Sequence, residues 1–123
     1  MTIVCTIVRS FAIVASCDSA VKEDIDGEEP AYSSGRKGYP LPGIGVVTTW
    51  GARDGNQVGR VLERALEEGR IKSVEQAARL VESYLRDDFA PQERGAPDVG
   101  FHVAGFIDER PHLYHVFWQA PGG

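Results

Sequence analysis

The sequence predicts an α+β fold in one domain over residues 1–123, with four strands, two helices and then two more strands. Three observations carry this prediction. Runs rich in Ile and Val, bounded by polar residues, are typical of strands and occur in both halves of the chain. Two central segments repeat apolar residues at three- and four-residue spacing, which is typical of helices. Because strands and helices are segregated along the chain, we expect mostly antiparallel sheets with the helices on one side.

The first two predicted strands, residues 2–8 and 11–17, are separated by so few residues that they must form a hairpin. A loop of three residues makes paired positions sum to 20 and puts Thr2 directly opposite Asp18. A loop of two residues puts Thr2 opposite Cys17 instead, with Asp18 one step beyond. In either register the start of the chain lies beside this acid.

The segment that follows is polar and rich in turn residues, so we expect residues 22–36 to be a surface loop. A short strand at 37–41, interrupted by Pro40, and a clear strand at 44–50 come next. Residues 51–56 form a turn punctuated by glycine.

Each of the two helices has a terminal signal as well as an apolar stripe. Gly69 is a natural end for the first helix. Ser73 is a good N-cap for the second, and Gln76 three residues later completes a capping box. The apolar stripes consist of Val58, Val61, Leu62, Ala65 and Leu66 in the first helix and Val74, Ala77, Ala78, Val81 and Leu85 in the second.

A final hairpin is predicted from Val99–Ile107, a turn at 108–110 and a strand at 112–118. Strand alternation places His112 on one face of the last strand and His115 on the other. The first face also carries Tyr114, Val116 and Trp118, and the second carries Leu113 and Phe117. We interpret the histidines as structural, and we expect neither a metal nor an organic cofactor.

Composition excludes several classes of function. Charged residues make up 25% of the chain and its net charge is −5, which argues against a nucleic-acid partner because phosphates call for a basic surface. The apolar runs are too short to span a bilayer, so we expect no membrane partner. Cys5 and Cys17 lie in apolar runs without a CxxC motif, and we interpret them as buried thiols of a cytoplasmic protein. A disulfide between them remains open if the two runs pair.

An export signal is the alternative reading of the first residues. Residues 14–17, "VASC", are similar to a lipoprotein cleavage box, which would remove the first sixteen residues and anchor the chain through Cys17. Signal peptides place basic residues before an unbroken apolar core. Here Arg9 interrupts the apolar stretch, which favours a pair of core strands.

Thr2 is the residue from which a chemical function can be argued. Removal of Met1 would leave Thr2 with a free α-amino group, whose ordinary pKa of about 7.7–8.0 lets it take the proton of its own hydroxyl. Asp18 supplies a carboxylate beside it, and Lys37 supplies a cation at the start of a strand. Gly51 offers a backbone N–H for an oxyanion, an interaction worth about 3–4 kcal/mol in such sites.

The combination resembles the proteasome β-subunit family of N-terminal-nucleophile hydrolases. The stretch "TIVCTIVRSFAIVASCDSA" is similar to its opening hairpin, with an aspartate sixteen positions after the nucleophilic threonine. The stretches "RKGYPLPGIGVVTTWGARDG" and "VGFHVAGFIDERPHLYHVF" resemble its lysine- and glycine-bearing strands and the hairpin after its second helix. On this resemblance Thr2 is the nucleophile, Asp18 and Lys37 tune it, and the Gly51 N–H forms the oxyanion hole.

The resemblance implies a partial αββα sandwich, with two antiparallel sheets and one helix pair, in a chain that ends before the family's second helix layer. It implies a threonine-type peptidase that cleaves unfolded polypeptides in a ring of like subunits, with an ATP-dependent unfoldase as a further partner. Trp50 stands where the family has a small residue, and it could narrow or block a pocket. A non-catalytic subunit or interaction protein of the same fold is the main alternative. Exposed apolar faces on such a shortened chain predict association.

Overall fold

The computed structural model describes residues 4–17, 20–23, 31–34, 37–51, 55–89 and 98–119. The strands, in chain order, are β1 (Val4–Val8), β2 (Ile13–Cys17), β3 (Ala20–Glu23), β4 (Ala31–Ser34), β5 (Gly38–Leu41), β6 (Gly45–Gly51), β7 (Val99–Ile107) and β8 (Arg110–Trp118). Two helices, α1 (Gly55–Glu67) and α2 (Val74–Tyr84), lie between β6 and β7, and one π-helical turn, Leu85–Phe89, continues α2. The predicted mixed α+β class is confirmed.

All strand pairs among the described residues are antiparallel. Strands β5, β6, β7 and β8 form one four-stranded sheet in that order, while β1–β2 and β3–β4 are two-stranded ribbons. The β3–β4 ribbon corrects the expectation of an irregular loop over residues 22–36. The polar, turn-rich composition of this segment predicts a loop without strands. In the structure, Ala20–Glu23 and Ala31–Ser34 pair with each other through their backbones.

The core lies between the four-stranded sheet and the two helices. Helix α1 packs against β5 and β6, and α2 packs against β7 and β8. Alternation along the strands directs one set of side chains to the helices, and Phe101 and Leu62 in this layer are fully buried. The sheet contributes Tyr39, Leu41, Val47, Val99, Phe101 and Val103 to this core.

The β1–β2 ribbon packs on the opposite face of the same sheet. It contacts β6 and β8, and Thr6 on β1 is hydrogen-bonded to His102 on β7. The inner side chains of the ribbon are half-buried except for Cys17, which is exposed, whereas Ile7 and Val14 on its outer side are 50% and 59% exposed. The described chain is therefore layered as helices, sheet and ribbon.

The helix signals in the sequence are confirmed. Ser73 caps α2, and its side chain accepts a hydrogen bond from the Gln76 N–H at 3.2 Å. The Gln76 side chain accepts from the Lys72 N–H at 2.6 Å, one residue before the position a standard capping box uses. Gly69 follows α1 with a φ of +72°, the left-handed conformation that ends many helices. Val61 departs from the predicted stripe, because it is 38% exposed.

The final hairpin forms as predicted, with β8 beginning at Arg110. Asp108 and Glu109 both adopt positive φ at its turn, as a type I′ hairpin loop requires. Tyr114, Val116 and Trp118 pack against the core, while Leu113, His115 and Phe117 are exposed on the ribbon side. Within the residues that the structure covers, neither helix has the length and apolar character that crossing a bilayer would need.

Candidate functional site

Lys37 stands immediately before β5 and is 93% buried, with 7% of its surface exposed. Its backbone carbonyl accepts a hydrogen bond from the Thr49 N–H at 2.9 Å, which fixes it opposite Thr49 on β6. Lysine is rarely buried to this extent, because its ammonium group loses hydration. The predicted cation is thus held inside the fold rather than on a solvated surface.

Gly51 ends β6 two residues after Thr49, at the same end of the sheet as Lys37. It has a φ of +90°, and a Cβ at this position would lie 2.1 Å from the Asp98 carbonyl oxygen. Successive N–H groups of a strand point to alternate sides. The Thr49 N–H points toward β5. The Gly51 N–H, two residues later, therefore points to the same side of β6, at a level beyond the first residue of β5.

Thr2 and Asp18 lie outside the described residues; the nearest described positions are Val4, two residues after Thr2, and Cys17, immediately before Asp18. Val4 pairs with Cys17 at the end of the ribbon ladder. Cys17 in turn packs against the start of β5, since its Sγ lies 3.3 Å from where a Cβ on Gly38 would be. The described ends of β1, β2, β5 and β6 therefore meet at one end of the molecule.

The register of the first hairpin corrects both expectations for its loop. Paired positions sum to 21, with Val8 opposite Ile13, rather than to 20 or 19. The Arg9 N–H donates to the Ala12 carbonyl at 2.8 Å, so the turn centres on Ser10 and Phe11. This two-residue loop lies one residue later than the expected two-residue loop over 9–10, so each position of β1 faces a later residue of β2 than expected.

A polar cluster between the ribbon and the sheet was not predicted from the sequence. The Thr6 Oγ1 and His102 Nδ1 lie 2.9 Å apart. His102 and His115 face each other across β7 and β8 with their rings edge to face, 5.0 Å between centroids. Burial, and then the neighbouring His115, lower the pKa of His102 below its ordinary value of 6.5. A turn at Asp108–Glu109 makes positions 102 and 115 partners, and this pairing is the signal by which the sequence could have revealed the cluster.

The Trp50 side chain extends across the sheet away from β5, the strand that Lys37 precedes. Its indole lies over Gly100, where a Cβ would come within 2.3 Å of the ring. Its Nε1–H donates to His115 Nε2 at 3.2 Å, so the side chain spans β7 to reach β8. Trp50 therefore extends toward β7 and β8 and away from Lys37, because β5 lies on the other side of β6.

The cysteines depart from their predicted burial. Cys5 and Cys17 are both exposed and both free. Cys5 pairs with Ser16 and Cys17 with Val4, so the two thiols occupy opposite faces of the ribbon and do not bridge. The outer face is exposed in the described chain, which explains the exposure of Cys5. Across the described ranges, three or more His, Cys, Asp or Glu side chains nowhere converge as metal ligands.

Comparison of this chain with protein-family models, with curated proteins and with solved structures finds no match.

Proposed function

We propose that this chain is a threonine-type peptidase, an N-terminal-nucleophile hydrolase subunit of a cytoplasmic, proteasome-like particle. The observation that carries the proposal is the meeting of four strand ends at one end of the molecule. Chain connectivity keeps Thr2 within about 7 Å of Val4 and Asp18 about 3.8 Å from Cys17, measured between Cα atoms. Val4 pairs with Cys17, and Cys17 packs against Gly38, so the backbone that follows Lys37 lies at the end of the ribbon.

The layering of the described chain supports the finer fold as well. Helices, a four-stranded sheet and the β1–β2 ribbon form three successive layers. These correspond to three layers of an αββα sandwich, of which the described residues supply one helix layer. The proposed active end is the end at which both β layers finish.

The proposed reaction uses the chain's own groups and no cofactor. The α-amino group of Thr2 takes the hydroxyl proton as Thr2 Oγ attacks the peptide carbonyl. The Gly51 N–H stabilises the resulting oxyanion, and the amine returns the proton to the departing amide nitrogen as the C–N bond breaks. Water, deprotonated by the same amine, then hydrolyses the ester and restores Thr2.

Lys37 and Asp18 act on the nucleophile rather than on the substrate. The Lys37 ammonium favours the neutral amine and the developing alkoxide at Thr2, since a nearby positive charge disfavours further positive charge. The Asp18 carboxylate holds that ammonium in place. The substrates are unfolded polypeptides, delivered to a ring of like subunits by an ATP-dependent unfoldase.

The first test is the mass of the mature chain, because the mechanism requires removal of Met1. A mass that lacks methionine is expected. A mass that retains it would leave Thr2 without a free amine and favour a non-catalytic subunit of the same fold. Loss of the first sixteen residues would favour a lipoprotein anchored through Cys17.

The second test is labelling by an electrophilic peptide probe, a vinyl sulfone or a β-lactone. Thr2→Ala should abolish labelling. Lys37→Ala should lower the labelling rate at least tenfold, whereas Lys72→Ala, a matched change at an exposed lysine, should leave it unchanged. Labelling that persists in Thr2→Ala, at Cys5 or Cys17, would show that the nucleophile is misassigned.

A further inference from the structure

The two outer strands of the four-stranded sheet differ in how they are protected against further pairing. Strand β5 is four residues long and contains Pro40, which lacks a backbone N–H. Strand β8 is nine residues long, and among the described strands only β7 pairs with it. From 112 to 118 it carries no Asp, Glu, Lys or Arg.

An edge of this kind is unusual for a monomer. Monomeric proteins protect edge strands with charges, prolines, bulges or short length, because the unpaired N–H and C=O groups accept another strand. In β8 the only such residues are Arg110 and Pro111, both at its start. Leu113 and Phe117 on the exposed face are 43% and 54% exposed, which adds apolar surface beside the open edge.

The spacing of these two side chains makes the edge complementary to itself. Leu113 and Phe117 lie two residues before and two residues after His115. If two copies of β8 pair antiparallel about a two-fold axis at His115, Leu113 of each copy lies directly opposite Phe117 of the other. On the helix-facing side, the same register sets Tyr114 opposite Val116. Directly opposed aromatic and aliphatic side chains stabilise antiparallel pairs.

We infer that β8 is a dimerisation edge whose partner is β8 of a second copy of this chain, paired antiparallel about His115. The contact is isologous and closes, so it joins the two four-stranded sheets into one eight-stranded sheet. This inference goes beyond the proposed catalytic function and does not depend on it, since the peptide-probe experiment reads Thr2 and Lys37 rather than β8.

Sedimentation velocity across protein concentrations tests the interface. The wild-type chain should associate with protein concentration, and the smallest associated species should be a dimer. Phe117→Lys, which places a charge opposite Leu113 of the other copy, should weaken the dimer at least tenfold. Phe106→Lys is the matched control, because Phe106 is also an exposed phenylalanine, at 40%, but lies on β7 rather than on the edge. It should leave the dimer intact, and far-UV circular dichroism should show both variants folded.

Crosslinking tests the register independently. In a Cys5→Ser/Cys17→Ser background, His115→Cys brings two thiols together at the two-fold axis, so a short bis-maleimide should join the copies. Arg110→Cys is the control, because the equivalent residues are then ten register positions, or about 34 Å, apart. A wild-type monomer at every concentration, a dimer that Phe117→Lys leaves intact, or equal crosslinking at the two positions would overturn the inference.

Discussion

At the scale of single residues, Gly51 is constrained by both its backbone conformation and its neighbour. Its φ of +90° disfavours any side chain, and the Asp98 carbonyl occupies the position of a Cβ. Gly51→Ala should therefore lower the free energy of unfolding by about 2–5 kcal/mol, combining backbone strain with a contact that only backbone movement relieves. Urea denaturation followed by circular dichroism measures this change.

Gly43 provides the matched control for this substitution. Its φ is +79°, but nothing lies within 4 Å of the position that a Cβ would take. Gly43→Ala should cost only the backbone strain, about 1–2 kcal/mol. Equal losses in the two variants would mean that the contact with Asp98 does not constrain Gly51.

His102 predicts how stability depends on pH. Burial and His115 lower its pKa in the folded chain, so the unfolded chain binds the proton more readily. The free energy of unfolding should therefore decrease as pH falls through the ordinary value of about 6.5 toward the lowered one, and the loss is complete below it. His102→Gln should reduce the difference in urea midpoint between pH 8 and pH 5. An unchanged difference would contradict the assignment to His102.

At the scale of elements, α2 depends on its N-cap. The Ser73 side chain satisfies the Gln76 N–H, one of the backbone donors that have no partner within the helix. Ser73→Ala should lower the free energy of unfolding by about 1 kcal/mol. Ser83→Ala, a serine replaced within the same helix, should change it by less than about 0.5 kcal/mol. Urea denaturation measures both free energies of unfolding. A similar decrease in both variants would mean that the effect comes from replacing any serine of this segment by alanine rather than from loss of the N-cap.

Elements with a local signal could be predicted from the sequence, and those without one could not. The helices follow from apolar spacing and from Ser73, which act within a few residues. The β3–β4 ribbon was missed because its residues lack the apolar alternation typical of strands. The first hairpin register was missed because Ser10 and Phe11, where the turn centres, carry none of the Gly or Asn signals that fix short loops.

The residues of the candidate site likewise include some that a local sequence signal predicts and some that it does not. Lys37 and Gly51 were predicted at strand ends, and the structure has them at one end of the sheet. The hydrogen bond between Thr6 and His102 joins residues that are 96 positions apart, so no local sequence pattern predicts it. Trp50 was considered as a residue that could narrow or block a pocket because it stands where the family has a small residue; the sequence shows its residue type but not its rotamer.

At the scale of the whole molecule, the layers are held together unequally. The helix–sheet layer buries a continuous apolar core. The ribbon rests on the other face through half-buried side chains, and Ile7, Val14 and Phe11 remain exposed. Segments with few buried apolar contacts open at lower free energy than the core. We therefore expect amide hydrogens of β1 and β2 to exchange faster than those of β6 and β7.

The hydrogen bond between Thr6 and His102 gives this expectation a specific test. Thr6→Val keeps the shape of the side chain and removes the hydroxyl, so it should lower the free energy of detaching the ribbon from the sheet by about 1 kcal/mol. Amide hydrogens of β1 and β2 should then exchange about fivefold faster. Exchange in β6 and β7 should stay within about twofold. Thr49→Val is the matched change inside the sheet, where the hydroxyl donates to the Gly100 carbonyl, and it should instead accelerate exchange in β6 and β7. Uniform acceleration of all strands by Thr6→Val would mean that ribbon and sheet open as one unit.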